Sequence, residues 1–158
     1  MSKGCVRTDN VSGTKIGKDL VSIRFQPTGA DAEIENGAVV LIGEYISAEV
    51  RKGTAPAANS DINKIAIIAS PEVVKSEKYN SLDEFVNEAG VAARGYRPRS
   101  GDIFSFTAEA LDGTAKVGSV VELQAGTKLK VVESATESST TVGTVIALEG
   151  KWIVVEIA

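Results

Sequence analysis

The chain has 158 residues and a formal net charge of -4, with no histidine, one cysteine and one tryptophan. Its length fits one domain or two very small ones. Without histidine there is no Ser-His-Asp or Cys-His catalysis, no imidazole metal ligand and no histidine pH switch. A lone cysteine excludes an internal disulfide and every multi-cysteine zinc site, and the acidic balance argues against whole-protein attraction to nucleic acid.

Valine (19) and isoleucine (13) far outnumber leucine (7). Branched side chains pack well on a pleated surface and lose rotamer freedom in a helix, so the expected class is mainly β. No run approaches the roughly 18 apolar residues of a membrane span. Met1–Asn10 holds no apolar run either, so no secretory signal is expected, and the protein is expected to be made in the cytoplasm.

Residues 1–19 carry Gly4, Gly13 and Gly17 among Lys3, Arg7, Lys15 and Lys18, with no apolar period. They read as a flexible, locally basic N-terminal arm, either a disordered tail or an arm that orders only on a partner. Cys5 within it reads as an incidental exposed thiol, since nothing adjacent supplies a base. Ser12-x-x-Lys15 and Gly13–Lys18 imitate a serine–lysine pair and a phosphate loop. The first lacks a rigid helix, and the second is one residue short with Asp19 where Ser or Thr is needed.

The remainder, 20–158, reads as one β-rich domain: a first β-unit (20–69), a helix and basic loop (70–101) and a C-terminal meander (102–158). Val21, Ile23 and Phe25 alternate with Ser22 and Arg24, as in a half-buried strand. Asn36-Gly37 is a turn dipeptide that launches Ala38–Ile42, apolar on both faces and so a central strand. Tyr45–Val50 continues in extended fashion, Thr54–Ser60 is a loop, and Ile65–Ala69 is another apolar strand. Glu33 and Glu35 form a solvated rim.

Ser70-Pro71-Glu72 reads as the opening of a helical turn. Ser81–Glu84 is a capping box, with Leu82, Phe85, Val86 and Ala89 on one face and Gly90 as the stop. This predicts one short α-helix of about ten residues covering the mouth of a sheet, with Asp83 and Glu84 in its favourable first turn.

Arg94, Tyr96, Arg97 and Arg99 follow in a Gly- and Pro-interrupted basic loop. They read either as a solvated loop whose arginines pair with Asp102 or Glu88, or as an interface, where arginine and tyrosine are enriched; on the second reading the four join Lys3, Arg7, Lys15 and Lys18 as candidate partner-binding residues. Asp102–Thr107 is a strand with Phe104 and Phe106 on one face. A turn at Leu111–Thr114 leads into strands at Ser119–Gln124, Lys128–Glu133, Val142–Leu148 and Lys151–Ile157. An offset of 81 residues lays Gly37, Val39, Val40, Val50, Ile65 and Ala66 over Gly118, Val120, Val121, Val131, Ile146 and Ala147. A real repeat implies two related β-units in a barrel- or sandwich-like fold.

Four stretches carry a family resemblance: Ile65–Val73, Leu82–Gly90, Ala93–Arg97 and Gly101–Thr107. Together they resemble small proteins encoded among the head genes of tailed phages and prophages of Gram-positive bacteria. The final meander, with Val117–Val121 and Val142–Glu149, is similar to the β-barrel of phage capsid decoration (cement) proteins. The resemblance spans roughly residues 35–157 and leaves out the basic arm.

It implies a structural virion protein on the capsid exterior, coating and stabilising a lattice of major capsid protein as a homo-oligomer, usually a trimer in that group. It implies no enzymatic activity, no cofactor, no metal, no direct nucleic-acid contact and no membrane. The alternatives are another virion subunit, in a tail tube or at head completion, and a small anion-binding module.

Overall fold

The computed structural model describes residues 3–7, 19–72 and 82–158. The first unit contains β1 (Leu20–Phe25), β2 (Val39–Ser47), β3 (Val50–Thr54), β4 (Ile65–Ile68) and β5 (Ala93–Tyr96), closed as a barrel in the order β1-β3-β2-β4-β5. The second contains β6 (Ile103–Thr107), β7 (Leu111–Asp112), β8 (Val120–Glu122), β9 (Leu129–Val132), β10 (Thr141–Glu149) and β11 (Trp152–Ile157), in a sheet ordered β6-β11-β10-β8-β9-β7. Its end strands β6 and β7 are separated in the chain by one 3-10 turn, Ala108–Ala110. The chain is mainly β, as its composition predicts.

The two sheets repeat one pairing scheme. The parallel pair β1·β3 has its counterpart in β7·β9. The antiparallel pairs β2·β3, β2·β4 and β4·β5 correspond to β8·β9, β8·β10 and β10·β11. The pair β1·β5 corresponds to β6·β11, so β6 and β7 share the work of β1.

Single bonds repeat too. Gly37 N–H donates to Ile68 O and Ile68 N–H to Ala38 O, while Gly118 N–H donates to Val145 O and Val145 N–H to Ser119 O. Both glycines sit at positive φ, 85° and 91°, at the turn entering the strand. Arg97 N–H donates to Asp19 O and Ile157 N–H to Asp102 O, which makes Asp19-Leu20-Val21-Ser22-Ile23 the counterpart of Asp102-Ile103-Phe104-Ser105-Phe106.

The offset of 81 therefore holds for residues 34–41, the turn into β2 and its first residues, and no further. Val40 pairs Ala66 and Val121 pairs Gly143, so Ala66 corresponds to Gly143 and Ile65 to Val142. The overlays of Val50, Ile65 and Ala66 on Val131, Ile146 and Ala147 fail because the β8–β9 hairpin is shorter than β2–β3. Leu41 pairs Thr54, whereas Glu122 pairs Lys130.

Val21, Ile23, Val40, Ala66, Ile68 and Ala93 fill the first barrel. The opposite faces of its strands β2, β4 and β5 present Val39, Ile65, Ile67 and Tyr96 to the second unit, where they join Phe104, Phe106, Leu123, Val145 and Val155 in a second core. The unbroken apolar runs Ala38–Ile42 and Ile65–Ala69 thus lie between two cores, each face burying its own side chains. Glu122, 1% exposed, accepts from the N–H (3.1 Å) and hydroxyl (2.8 Å) of Thr136 and so ties the Ser/Thr loop to β8.

Four expectations are corrected. Tyr45–Val50 is not continuously extended: a turn at Ala48 (φ 42°) and Glu49 separates β2 from β3. The expected short α-helix does not form over the described residues 82–90. Leu82–Glu84 make one 3-10 turn, then Asn87 exchanges both backbone bonds with Ile34 (3.0 and 2.9 Å) and donates its side-chain amide to Ile34 O and Asn36 Oδ1. Strand-like pairing outweighs the local helical pattern, and Ser81, the cap, lies outside the described residues. Ser70–Glu72 are not helical.

The fourth concerns the arm. Residues 1–2 and 8–18 lie outside the described residues, but Lys3–Arg7 is docked. Thr107 N–H donates to Cys5 O and Arg7 N–H to Ser105 O, setting this segment along β6, and Val6 is 1% exposed. Cys5 is not an exposed thiol: it is buried, and burial first, then the negative charge of Glu72, pushes it up to about 11. The single apolar residue pair Cys5-Val6 left no period to read, and tertiary pairing orders it.

Cys5 is therefore expected to resist a thiol reagent in the native protein at pH 8 and to react rapidly once denaturant is added. Immediate full labelling of the native protein would contradict this burial. A raised thiol pKa means that the unfolded chain loses its proton first. Stability should fall as pH rises from 9.0 to about 11, and a Cys5→Ala variant should lose that slope.

Candidate partner interface

The eight candidate residues do not converge. Lys15 and Lys18 lie outside the described residues. Lys3 donates its amide to Asp83 O and sets its amine 3.5 Å from Glu35, while Arg7 reaches Glu149 at 3.9 Å, so both serve the docking of the N-terminal segment. Tyr96 is 4% exposed and packs in the core between the units, which removes it as an interface residue.

Arg99 joins the two repeats. Its guanidinium binds Asp19, which is 1% exposed, and its N–H donates to Asp102 Oδ2 at 3.0 Å. It touches both aspartates of the repeated Asp-x-x-Ser pattern, a structural role. Arg97 is half-buried, its N–H bonded to Asp19 O.

The first part of the basic loop is in fact strand β5, which closes the first barrel against β1 and β4, and Arg97 and Arg99 follow it outside the strand. Gly95 reads as a chain breaker in sequence, yet here it permits a close approach. A Cβ on it would lie 3.0 Å from Ala66 Cβ and 3.1 Å from Val21 Cγ1. Alternation then turns Arg94 outward, opposite Ser22.

Arg94 is the exposed candidate that lies on a strand. Arg24 projects from the same outer face of β1, and its register partner Lys52 from β3. Lys52, Arg24 and Arg94 thus form a basic stripe over three adjacent strands, on the outer face of the barrel. Arg24 is steadied by Asp31, whose carboxyl is held below its ordinary range first by the Gln26 amide (2.8 Å) and then by Arg24. Sequence reading places Arg24 on a polar face but leaves Lys52 out. The Arg51-Lys52 pair is its only local signal, and the β1·β3 register, which brings Lys52 beside Arg24, is a long-range property.

A cavity of about 200 Å³ lies between the units, lined by Phe25, Ile34, Val86 and Ala110 with Glu35 and Lys128. It falls below the roughly 300–1,000 Å³ usual for small-molecule sites. Among the described residues, no group of three or more Cys, Asp or Glu is placed to hold a metal ion, and no helix is long and apolar enough to cross a membrane. No protein-family model, curated protein or solved structure matches the chain.

Proposed function

We propose that the protein coats and stabilises a virion capsid shell by binding the lattice of major capsid protein, as a closed homo-oligomer on the capsid exterior. The observation that carries this reading is the sorting of charge. A chain of net charge -4 carries Lys52, Arg24 and Arg94 together on one outer sheet face. A contact of this kind is weak singly, but many copies on a lattice, or several in one trimer, hold by avidity. The family resemblance of residues 35–157 points to the same role.

Co-sedimentation with purified expanded shells is the test. The wild-type protein should bind at a fixed number of copies per shell, with occupancy falling as salt is added. Reversing charge in an Arg94→Glu, Lys52→Glu double variant should weaken binding about tenfold or more, roughly 1.4 kcal/mol. Both side chains lie on the outer sheet face, so the fold should survive. A wild-type protein that stays in the supernatant would sink the proposal.

A further inference from the structure

The repeat exposes a difference between the two units at one shared place. In the first unit the turn Ile34–Ala38 enters β2, with Ala38 N–H bonded to Glu35 O; in the second, Ala115–Ser119 enters β8, with Ser119 N–H bonded to Lys116 O. Asn36 therefore corresponds to Val117, and Ile34 to Ala115. Beyond Val145, β10 bulges at Ile146, after which Leu148 takes the place of Ser70.

In the first unit this place is sealed. Asn36 is 1% and Ser70 7% exposed, bonded to each other, and the extended stretch Phe85–Asn87 lies across them. It pairs its backbone with Ile34 and buries Val86 to 5% exposure. In the second unit the same place is open. Val117 is 65%, Leu148 49% and Ile146 39% exposed, and among the described residues no hydrogen bond reaches Ala115.

We propose that Ala115–Val117 and Ile146–Leu148 receive an extended strand from another protein, docked as Phe85–Asn87 is docked on the first unit. The partner strand pairs its backbone with Ala115 and sets an apolar side chain against Val117, Ile146 and Leu148. The described chain has no such strand to spare. Lys3–Arg7 lies along β6, Phe85–Asn87 seals the first unit, and Ala158 N–H is bonded to Val142 O. This surface is separate from the basic stripe. It deepens the shell-coating proposal by giving the partner a form, and it rests on that proposal only for the partner's identity.

The probe is a peptide with this chain's own sequence from Leu82 to Ala89, the strand that the first unit accepts, titrated into isotopically labelled full-length protein. Saturable shifts should appear at residues 115–118 and 145–149. Val117→Glu and Leu148→Glu, both at exposed positions, should each weaken binding about tenfold or more. Absence of these shifts, or equal binding by both variants, overturns the inference. So does self-association of the wild-type protein that either variant abolishes, because the occupant is then a second copy. Shell co-sedimentation separates the two claims. Wild-type binding matched by Leu148→Glu removes this surface and leaves the shell-coating role, whereas loss of wild-type shell binding removes that role while the peptide titration still decides the surface.

Discussion

Replacing Gly143 by alanine is expected to destabilise the protein by about 3 kcal/mol or more, lowering its thermal midpoint by roughly 6–12 °C. Gly143 lies in β10, and a Cβ built on it would lie 2.2 Å from Glu156 O and 3.0 Å from Val155 Cγ1. The obstacle is backbone, with no flexible side-chain end to swing aside. Glu156 belongs to β11, which is held on its far side by β6 through Val155–Phe104 and Glu156–Ile103 and cannot withdraw without breaking that pairing. Alanine would gain about 0.5–1 kcal/mol over glycine from the unfolded chain, too little to offset the clash.

The counterpart position supplies the control. Ala66 occupies it in the first unit, fully buried, so the same substitution site already carries a methyl there. Ala66→Gly should cost only about 1 kcal/mol, from lost packing and added chain entropy. Urea unfolding of both variants checks the contrast. A Gly143→Ala protein within 1 kcal/mol of wild type, on the order of one buried methylene, would mean that the two strands are not this close.

How far the fold could be read ahead follows from where its determinants lie. Nearly every strand announces itself through branched residues and alternation, and Gly37, Gly118 and Gly150, all at positive φ, mark turns that are local events. The failures are long-range. Asn87 leaves its helical pattern because Ile34 and Asn36 are there to meet it. Gly95 looks like punctuation because Val21 and Ala66, the atoms that require it, are far away in sequence.

The repeat was legible in part, through Gly37-x-Val39-Val40 and Gly118-x-Val120-Val121. Its second half was hidden by a change in hairpin length that no gapless comparison tolerates. The Asp19-x-x-Ser22 and Asp102-x-x-Ser105 openings of the two units are visible in the sequence, but only the shared bonds Arg97–Asp19 and Ile157–Asp102 give them meaning.

The candidate interface was less legible than the fold. Proximity in sequence gathered Arg94, Tyr96, Arg97 and Arg99 into one loop, but only Arg94 and Tyr96 belong to β5, where residues two apart share a face. The second unit covers Tyr96 on that face and leaves Arg94 exposed, while Arg99 turns to Asp19. The residues that accompany Arg94 are Arg24 and Lys52, gathered by register across β1. A surface patch on a sheet is spread over several strands, so residue spacing along one segment does not reveal it.

The second large effect is expected at Asn36. Its side-chain amide donates to Ser70 O and accepts from Ser70 N–H, both at 3.0 Å, and accepts from Asn87 Nδ2 at 3.1 Å. Asn36, Ser70 and Asn87 are each buried, so Asn36→Ala strips a main-chain donor and acceptor of their partners where water does not replace them easily. A loss of about 2–4 kcal/mol is expected. Glu72 adds a pH signature. Burial raises its carboxyl above the ordinary range, and the hydrogen bond from Asn36, ahead of the charge of Lys151, counters that rise. Removing Asn36 leaves Glu72 higher still, so the folded variant binds its proton more tightly than the unfolded chain does. The variant's deficit should therefore be greatest at neutral pH and narrow as pH falls through the carboxylate range. Denaturant unfolding across that range measures both parts. A small, pH-independent loss would show that the latch joining residues 34–36, 70–72 and 87 contributes little, and that the first unit is sealed by Val86 packing alone.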